Sequence, residues 1–317
     1  MKVLVTGGAG FIGSHLADRL LKDGHEVVIL DDLSTGQVEH LHPDARFYQM
    51  DVHSPWLDEL FKIERPQAVL HQAAQASVRR SVEDPVFDAS VNVLGTVTLL
   101  QASVRHGVRR FLFASTGGAL YGEADVIPTP EDYPTLPVSP YGASKLAAEV
   151  YLRTFQALHG LSYAALRYAN VYGPRQDPHG EAGVVAIFAQ RLLSGEAARI
   201  NGDGKQTRDF VYVGDVADAN ARALTSDAVG SFNVGTGVET DINTIFRLLK
   251  RLSGNNQAEV HGPPMAGEQR RSVVDARKLE RVMGWRPQTS LEAGLEATVR
   301  YFRPASKARV AAPAPPA

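Results

Sequence analysis

The chain has 317 residues, enough for a large buried core in one α/β domain with a smaller domain attached. Its 33 lysines and arginines nearly balance its 35 aspartates and glutamates, and the formal net charge of -2 excludes a general attraction to nucleic acid or to an anionic membrane. The absence of cysteine excludes disulfides, thiolate metal sites and thiol nucleophiles, as is typical of the reducing cytoplasm, where we expect this protein.

Short β-branched runs alternate with amphipathic segments through the first half of the chain. Residues 2–6 read as a strand with no signal peptide before it, and residues 11–23 have the apolar period of a helix. Further strands are predicted at 26–30, 46–49, 68–70, 110–114 and 163–167. Strands that alternate with helices predict a parallel sheet covered on both faces, which fits their continuous apolar runs. No apolar run reaches the roughly 20 residues that span a bilayer.

The second half is less regular, and we expect a smaller, mixed α/β domain there. Residues 174–183 read as a loop, 184–194 as a helix and 200–213 as a strand-and-turn stretch. Residues 231–234 read as a short strand returning to the main sheet, and 240–253 as an amphipathic helix. The predicted organisation is a nucleotide-binding domain over 1–167 with a returning segment near 210–236, a partly interleaved second domain over 168–303, and a mobile Pro/Ala-rich tail over 304–317.

Three glycines follow the first predicted strand and open the first predicted helix. Gly7, Gly10 and Gly13 have the spacing GxxGxxG. The first allows a tight turn, the second a close approach to a pyrophosphate, and the third close packing of helix on strand. The helix N-terminus then offers free N–H groups to the phosphates. The pattern and its position predict a dinucleotide site in a doubly wound parallel sheet of the Rossmann type.

Two acidic residues, Asp31 and Asp32, end the second predicted strand. A carboxylate at this point accepts hydrogen bonds from the adenosine ribose hydroxyls and repels a 2′-phosphate. The sequence therefore favours NAD over NADP as the cofactor.

Tyr141 and Lys145 form a YxxxK pair within a strongly helical stretch. A spacing of four places both side chains on one helix face. A phenol with an ordinary pKa of about 10 is a weak base, but a neighbouring ammonium and an oxidised nicotinamide both favour the phenolate. Lys145 can also donate to the nicotinamide ribose. Beside a dinucleotide site and the hydroxyl-bearing strand end Ser115-Thr116, this pair predicts a catalytic acid–base group.

Several segments of the sequence resemble the extended short-chain dehydrogenase/reductases. They are GGAGFIG, HQAAQASV, VNVLGT, FASTGGALYG, SPYGASK, LRYANVYGPRQ and DGKQTRDFVYVGDV. Among these enzymes the chain is most similar to the UDP-glucose 4-epimerases and the related UDP-N-acetylglucosamine and UDP-glucuronate 4-epimerases. The resemblance runs from about residue 1 to about residue 300.

The resemblance implies NAD-dependent epimerisation at C4 of a UDP-sugar. Tyr141 would take the proton of the 4-hydroxyl while a hydride passes from C4 to NAD. The 4-keto sugar would then turn over in the pocket before the hydride returns to its other face. Thr116, with Ser115 beside it, would hydrogen-bond the 4-oxygen and relay the proton. NAD would stay bound as a catalyst, and no metal site is expected.

The same resemblance assigns contacts to further positions. On the cofactor side these are Phe11 and Ile12 in the glycine motif, Asp51 and Val52 at the adenine, Ala73 and Ala74 beside the pyrophosphate, Asn92 on a neighbouring helix, and Tyr168 at the nicotinamide end. On the substrate side they are Asn170 on the sugar diphosphate, Val184 in the pocket, Arg208 on the phosphates, Glu268 on the uridine ribose, and Ser272 beside the sugar 2-substituent. Purely structural roles are the alternative for Asp51, Asn92 and Tyr168.

Two positions depart from the family's pattern. The family often has a serine or threonine four residues before the tyrosine that is Tyr121 here, but that position is Gly117. Counting from the strand instead places Thr116 in the active position, with one extra glycine after it. The segment MAGE at 265–268 also lacks an arginine expected near the substrate diphosphate, so Arg270 or Arg271 is considered as its replacement.

Nucleotide-sugar 4,6-dehydratases and uronate decarboxylases share this fold, cofactor and YxxxK pair. They place acidic residues directly after the active threonine or two along, where this chain has Gly117 and Gly118, which favours simple epimerisation. A UDP-glucuronate 4-epimerase stays an alternative. A non-enzymatic NAD-binding regulator is expected to have lost Tyr141, Lys145 or the hydroxyl pair, and all are present. The sequence leaves open whether the sugar is of the gluco/galacto, N-acetylated or uronate type.

The predicted helices at 86–105 and 141–157 resemble those that form a four-helix bundle between two subunits in this family. The resemblance therefore implies a homodimer. The expected partners are a UDP-sugar and a second copy of the chain, with no nucleic acid and no membrane.

Overall fold

A parallel sheet with a helical layer on each face organises the first part of the chain, and small sheets with their own helices follow it. The computed structural model describes residues 1–179, 183–265 and 269–303. Its strands, in chain order, are β1 (Lys2–Thr6), β2 (Glu26–Asp31), β3 (Arg46–Gln49), β4 (Ala68–His71), β5 (Arg110–Thr116), β6 (Ser162–Tyr168), β7 (Asn170–Tyr172), β8 (Arg199–Asn201), β9 (Thr207–Arg208), β10 (Phe210–Tyr212), β11 (Gly230–Val234), β12 (Thr240–Asp241), β13 (Val260–Gly262) and β14 (Arg271–Ser272).

The helices fill the intervals between these strands. In chain order they are α1 (Phe11–Lys22), α2 (Leu57–Glu64), α3 (Val78–Glu83), α4 (Pro85–Ala89), α5 (Gly95–Arg105), α6 (Gly117–Leu120), α7 (Pro140–His159), α8 (Val184–Ser194), α9 (Val213–Thr225), α10 (Ile242–Ser253), α11 (Arg277–Met283) and α12 (Leu291–Phe302). A 3₁₀ turn lies at Val38–His40 and a π turn at Ser90–Leu94. None of the helices in the described ranges is long and apolar enough to cross a membrane.

The main sheet has seven strands in the order β3-β2-β1-β4-β5-β6-β11, and all neighbouring pairs are parallel. The order reverses between β1 and β4, so the carboxyl ends of these strands flank the crevice in which doubly wound sheets bind their ligands. Strand β11 pairs with β6, which confirms the predicted return of the chain to this sheet. The predicted Rossmann-type fold is confirmed.

Both faces of the sheet are apolar because helices cover both of them. Successive residues of a strand point to opposite faces. Accordingly, Val3 and Val5 of β1 pack into one core with Leu16 of α1 and Val216 of α9. Leu4 packs into a second core with residues of α2, α5 and α7. The continuous apolar runs of the sequence are thus explained by two-sided burial.

The structure moves several predicted boundaries by one or two residues. Strands β1 and β3 and helix α8 have their predicted bounds, whereas β5 continues to Thr116 because its pairing with β6 extends to Tyr168. The helix predicted at 240–253 begins at Ile242, since the two preceding residues pair with β9. Asp241 then caps the helix by accepting the Thr244 N–H at 2.8 Å. The tail predicted at 304–317 lies outside the described residues.

A third apolar core lies between α8, α10 and α12. Phe188 of α8 meets Phe246 of α10 edge to face, with ring centroids 5.6 Å apart, and Leu295 of α12 joins them. Helix α10 follows β12 directly, so this core anchors one edge of the small sheet β12-β9-β14. That sheet carries two of the candidate substrate residues, Arg208 and Ser272.

The helix predicted at 86–105 is continuous but not uniformly α-helical. Helix α4 passes into the π turn at Ser90–Leu94 and then into α5. A π turn inserts an extra residue into a helix, and such turns are frequent at functional sites. This one carries the buried Asn92, whose side chain bonds to Gln75 and Ser144.

Candidate active site

The glycine loop joins β1 to α1 at the crevice of the main sheet. Gly7 has a φ of +69°, and a Cβ there would lie 2.6 Å from the Ala73 backbone nitrogen. A Cβ on Gly13 would overlap the Gly7 carbonyl oxygen. Packing therefore requires glycine at both positions. Among the described atoms, the Gly7 oxygen is the one neighbour within 4 Å of a Cβ on Gly10, at 3.2 Å. Gly10 therefore borders open space that fits a closely bound pyrophosphate.

Helix α1 begins beside this open space. Its N-cap is Gly10, and no described side chain caps it or places an acid in its first turn. The N–H groups of a first turn have no acceptor within the helix. An anionic ligand would therefore be stabilised here by the N–H groups of Phe11, Ile12 and Gly13 and by the positive end of the helix dipole.

Asp31 ends β2 and is buried against the glycine loop. Its Oδ2 accepts the Ala9 N–H and its Oδ1 the Leu33 N–H, each at 2.9 Å. Burial is the largest influence on this carboxyl and raises its pKa, against the lowering effect of the two N–H donors. Asp32 is exposed and accepts both the N–H and the hydroxyl of Ser34. Asp31 is thus the acid that faces the loop, whereas Asp32 closes a turn.

Four further cofactor candidates lie at the same edge of the sheet. Asp51 and Val52 follow β3, and Ala73 and Ala74 follow β4, so all four lie at the carboxyl ends of the strands. Asp51 is exposed and Val52 is buried. The Ala73 N–H donates to Thr6 Oγ1 at 3.3 Å. The fold therefore brings together candidates that lie far apart in the sequence.

The YxxxK pair lies in the first turns of α7. Ser139 caps the helix by accepting the Gly142 N–H at 3.1 Å, and Pro140 occupies the first helical position, which favours a defined start. The Lys145 Nζ lies 5.9 Å from the centroid of the Tyr141 ring. The four-residue spacing thus places the ammonium and the phenol at one site.

Lys145 is almost fully buried. Its Nζ donates to the Ala114 carbonyl oxygen at 3.0 Å and lies 4.8 Å from the centroid of the Phe113 ring. Burial lowers its pKa to about 8, and the negative charge of Asp88 opposes that change. The neighbouring His71 is neutral, because burial and then the Lys145 charge lower its pKa to about 3.

Tyr141 shares a hydrogen bond with Thr116. Burial and then the charge of Asp88 raise the pKa of Tyr141 to about 12, against the lowering effect of the bond to Thr116. The phenol therefore needs additional positive charge nearby before it can act as a base near neutral pH.

Thr116 and Ser115, the two candidate hydroxyls, point to opposite faces of β5, as successive strand residues must. Thr116 faces Tyr141 and caps α6 by accepting the Ala119 N–H at 3.2 Å, so the extra glycine after it is accommodated in that helix. The Ser115 hydroxyl instead donates to Glu149 Oε1 at 2.5 Å. The Ser115 hydroxyl is therefore engaged by the carboxylate of the buried Glu149–Arg167 ion pair, and its expected catalytic role stays a prediction.

Asn92 joins the loop after β4 to the catalytic helix. Its Oδ1 accepts the Gln75 N–H at 2.9 Å, and its Nδ2 lies 2.9 Å from the Gln75 carbonyl oxygen, 3.0 Å from Asp88 Oδ1 and 3.2 Å from Ser144 Oγ. The Ser144 hydroxyl donates to the Tyr141 carbonyl oxygen at 2.9 Å. The network thereby fixes the first turn of α7.

Tyr168 ends β6 within the core. Its hydroxyl accepts from Asn220 Nδ2 at 2.9 Å and from Gln72 Nε2 at 3.3 Å. Burial raises its pKa to about 12. The expected contact of Tyr168 with the nicotinamide end stays a prediction.

Three candidate substrate side chains meet around Gly118. A Cβ at this glycine would lie 3.8 Å from Ser272 Oγ, 3.9 Å from Thr116 Oγ1 and 4.0 Å from Asn170 Oδ1. Glycine leaves this volume open. Its borders are hydroxyls and an amide, neutral groups that suit the hydroxyls of a sugar.

The remaining substrate candidates lie in the second part of the chain. Arg208 of β9 and Ser272 of β14 are direct neighbours in a parallel pair. Val184 is half-buried at the first position of α8. Glu268 lies outside the described residues.

Met265 shares a surface with Arg270, one of the two arginines considered as its replacement. Met265 and Arg270 line an open groove of about 660 Å³. Arg270 makes two hydrogen bonds to Asp203, at 2.9 and 3.0 Å, and Arg271 makes two to Glu239, at 2.7 Å each. Both guanidinium groups face carboxylates here, which argues against a relocated diphosphate contact.

Three residues of the site were assigned no contact from the sequence, although Gly118 and Asp209 lie within segments that carry the resemblance. Gly118 opens the substrate side, and the buried Asp88 lies beside the YxxxK pair. The backbone of Asp209 accepts the Asn170 N–H at 2.9 Å and donates to the Ser272 carbonyl oxygen at 3.0 Å. The signal for Asp88 was its position four residues before Asn92, which places both on one helix face.

The NAD dependent epimerase/dehydratase family matches residues 3–235 of the chain, a span that contains the glycine loop, Thr116 and the YxxxK pair. The chain belongs to this family. Family membership confirms that the protein is an NAD-dependent enzyme, and the glycine cradle is consistent with that cofactor.

Similar proteins extend the epimerase/dehydratase match along almost the whole chain. A UDP-glucose 4-epimerase of Mycolicibacterium smegmatis is 48% identical over 309 residues, which cover 96% of this chain and 99% of the relative. The UDP-glucose 4-epimerase of Thermotoga maritima, solved with UDP-glucose, is 49% identical with a TM-score of 0.94, covering 96% of this chain and 99% of that one. The Thermus thermophilus UDP-glucose 4-epimerase, solved with NAD, is 47% identical with a TM-score of 0.91, covering 96% and 100%.

Proposed function

We propose that this enzyme interconverts UDP-glucose and UDP-galactose by inverting C4 of the sugar, with NAD as a permanently bound cofactor. The observation that carries the proposal is the hydrogen-bonded pair of Tyr141 and Thr116 beside the buried Lys145 ammonium, next to the glycine cradle. Similarity to UDP-glucose 4-epimerases over nearly the whole chain supports the substrate class.

The residues at the carboxyl edge of the sheet hold the cofactor. The first turn of α1 binds the pyrophosphate through its N–H groups, and Asp31 accepts from the adenosine ribose. Lys145 donates to the nicotinamide ribose. When bound, NAD supplies a hydride acceptor at its nicotinamide ring that can also return the hydride.

Tyr141 accepts and returns the proton of the 4-hydroxyl. Its phenolate oxygen accepts that proton as C4 is oxidised, and the phenol returns it to the 4-oxygen after the sugar has presented its other face. Thr116 hydrogen-bonds the 4-oxygen and passes the proton. The Lys145 ammonium stabilises the phenolate, since a cation in a weakly polar interior lowers the pKa of a neighbouring phenol.

The surroundings of Gly118 favour epimerisation over dehydration or decarboxylation. Dehydration needs a second acid–base group to remove the proton at C5, and the atoms nearest a Cβ at Gly118 belong to Ser272, Thr116 and Asn170. These groups are neutral. A Cβ on Gly117 would lie 2.6 Å from Val274 Cγ1, so packing excludes an acidic side chain there without rearrangement.

The small side chains on this side of the proposed pocket favour a larger sugar as well. Ser272 and Gly118 are small and adjacent, and both lie beside Thr116. An acetamido group at C2 would find space and hydrogen-bonding hydroxyls at this side of the pocket. The proposed substrates therefore include UDP-N-acetylglucosamine and UDP-N-acetylgalactosamine.

The proposed active form is a homodimer built on a four-helix bundle. Val86 of α4, Leu94 in the π turn, and Val150 and Leu158 of α7 are 78%, 59%, 45% and 71% exposed. Exposed large apolar side chains concentrated on adjacent helices are typical of an interface. The same face on two copies would bury them against each other about a two-fold axis.

Product analysis tests the proposed reaction. Purified enzyme is incubated separately with UDP-galactose, UDP-glucose and UDP-glucuronate, and the nucleotide sugars are separated. We expect one mixture of UDP-glucose and UDP-galactose from either side. Turnover of UDP-glucuronate alone would favour a uronate epimerase, and a 4-keto-6-deoxy or pentose product would show a dehydratase or a decarboxylase instead.

A further inference from the structure

Asp88 is a fully buried acid at the end of α4, where the helix passes into the π turn. Its Oδ1 accepts from Gln75 Nε2 at 2.8 Å and from Asn92 Nδ2 at 3.0 Å. Its Oδ2 is buried and has no hydrogen-bond partner among the described residues. A buried carboxylate with one unsatisfied oxygen destabilises a fold, so its presence calls for a compensating role.

The Asp88 charge acts on both members of the YxxxK pair. Helix α4 packs against α7, and the negative charge raises the pKa of Tyr141 and also that of Lys145. The two pKa changes have different consequences for the reaction. Lys145 is kept protonated against its burial, whereas the Tyr141 phenolate is made less stable, so that it takes up a proton more readily and holds it more tightly.

Asp88 also acts mechanically through the network that it shares with Asn92. Gln75 and Asn92 both donate to the same Asp88 oxygen. Asn92 then reaches Ser144, and Ser144 bonds to the Tyr141 backbone. One carboxylate thus links the loop after β4 to the first turn of the catalytic helix.

We propose that Asp88 is a positioning residue whose carboxylate, shared by Gln75 and Asn92, holds the first turn of α7, and with it the YxxxK pair, against the loop after β4. The inference deepens the proposed function and rests on it for the role of Tyr141 as the base. Asp88 acts through Lys145 and Asn92, without contact to the sugar. The Asp88 charge raises the pKa of Tyr141, whereas the Lys145 charge lowers it. The opposing effects let one phenol both take the proton and return it, as the reaction requires.

Other ionisable groups lie on the elements packed around this region. They are His71 of β4, Arg79, Arg80 and Glu83 of α3, Asp84 at the start of α4, Glu149 and Arg153 of α7, and Arg167 of β6. His71 is neutral, Glu149 and Arg167 neutralise each other, and the α3 groups are exposed. Asp88 is the acid whose charge acts on both Tyr141 and Lys145.

The test uses Asp88→Asn in the NAD-bound enzyme. The amide keeps an oxygen to accept from Gln75 and Asn92 but removes the charge. The ultraviolet absorbance of the phenolate is titrated in both proteins, with Tyr141→Phe in each background as the blank. We expect the titration of Tyr141 to move to lower pH by on the order of one unit, the size of effect that one nearby charge exerts in a protein interior.

The pH dependence of kcat for UDP-galactose gives the second readout. Without the negative charge the pKa of Tyr141 and the pKa of Lys145 both fall, so both limbs of the profile should move to lower pH. Glu83→Gln, which removes an equal charge from the exposed surface of α3, should leave both limbs in place. Asp88→Ser removes the charge with a smaller side chain and replaces Asp88→Asn if that variant does not fold.

The possible outcomes distinguish a failure of the proposed role of Asp88 from a failure of the proposed epimerase function. A folded Asp88 variant with lower turnover but unmoved limbs and an unmoved Tyr141 titration would overturn the inference, because Asp88 would then be purely structural. A wild-type enzyme that leaves UDP-galactose unchanged would overturn the proposed function. The titration of Tyr141 needs no turnover, and it would still decide the role of Asp88.

Discussion

Tyr141 is a phenol whose surroundings oppose its ionisation. Burial raises its pKa to about 12, and burial also lowers the pKa of the nearby cation, Lys145, to about 8. Little phenolate is therefore present near neutral pH until positive charge is added at the site. This arrangement suits a reaction in which the proton must be returned to the same oxygen, since a permanently ionised tyrosine could not return it.

Replacement of Tyr141 tests its role as the base. Tyr141→Phe removes one oxygen and leaves the ring, so NAD binding should persist while kcat falls by at least about 10²-fold, the usual contribution of a positioned acid–base group. Tyr301→Phe removes the same oxygen from an exposed tyrosine and should retain full activity. Turnover near the wild-type rate in Tyr141→Phe would contradict the assignment.

Substitutions should distinguish the roles of the two hydroxyls at the end of β5. Thr116→Val should lose at least about tenfold in kcat, because the bond to Tyr141 and the contact with the 4-oxygen disappear. Ser115→Ala should keep kcat within about twofold but lower the free energy of unfolding by about 1.5–3 kcal/mol, since a buried carboxylate loses a donor. Denaturant unfolding and steady-state rates measure both; a Ser115→Ala enzyme that is stable but inactive would reverse the roles.

Sequence alone identified Thr116 and Ser115 as a pair but not which one faces Tyr141. The alternation of side chains along a strand means that both cannot face it, and this rule needed only the correct end of β5. The prediction ended that strand two residues early, so the face could not be assigned. Asp88 was missed for another reason, because a single acid in an amphipathic helix reads as a solvated residue until its burial is known.

Among the elements, those with a clear period were predictable and the shortest were not. The strands of the main sheet and helix α8 carry long apolar patterns, whereas β9, β12 and β14 have two residues each and no period to detect. The π turn at Ser90–Leu94 has no sequence signal of its own. The two glycines after Thr116 begin α6, which Thr116 caps.

The small sheet β12-β9-β14 would border the proposed sugar pocket. It places Ser272 beside Arg208 and opposite Gly118. We expect the wild type to convert both UDP-galactose and UDP-N-acetylgalactosamine. Ser272→Tyr should lower kcat/KM for the N-acetylated sugar at least about tenfold relative to UDP-galactose, because the ring overlaps the acetamido group.

The control for that variant is Ser194→Tyr, which adds the same ring at an exposed position of α8. It should leave the ratio of the two kcat/KM values unchanged. If the wild type ignores the N-acetylated sugar, or if Ser272→Tyr treats both sugars alike, the pocket is limited by another residue.

At the scale of the whole molecule, the π turn after α4 and helix α7, which both contribute to the candidate site, also carry the proposed dimer face. Leu94 lies in the same π turn as the buried Asn92, and Val150 follows Tyr141 and Lys145 on α7. The catalytic helix would then be supported by the sheet on one side and by the partner subunit on the other. The cytoplasmic location stays a prediction.

The oligomeric state can be measured directly by light scattering on a sizing column. We expect the mass of a dimer for the wild type. Leu94→Asp combined with Val150→Asp should shift it to a monomer, because two charges per subunit would be buried in an apolar interface. Val282→Asp, at an exposed valine of α11, should remain dimeric, and a monomeric wild type would contradict the proposed bundle.

In the proposed reaction, C4 of the sugar loses its hydrogen and regains the same one within one site. The experiment is conversion of UDP-galactose carrying deuterium at C4, followed by NMR of the product in ordinary water. We expect UDP-glucose with the deuterium retained almost completely at C4, because the label leaves as a hydride to a bound cofactor and returns to the same carbon. Loss of the label to solvent, or its appearance at another carbon, would rule out this mechanism.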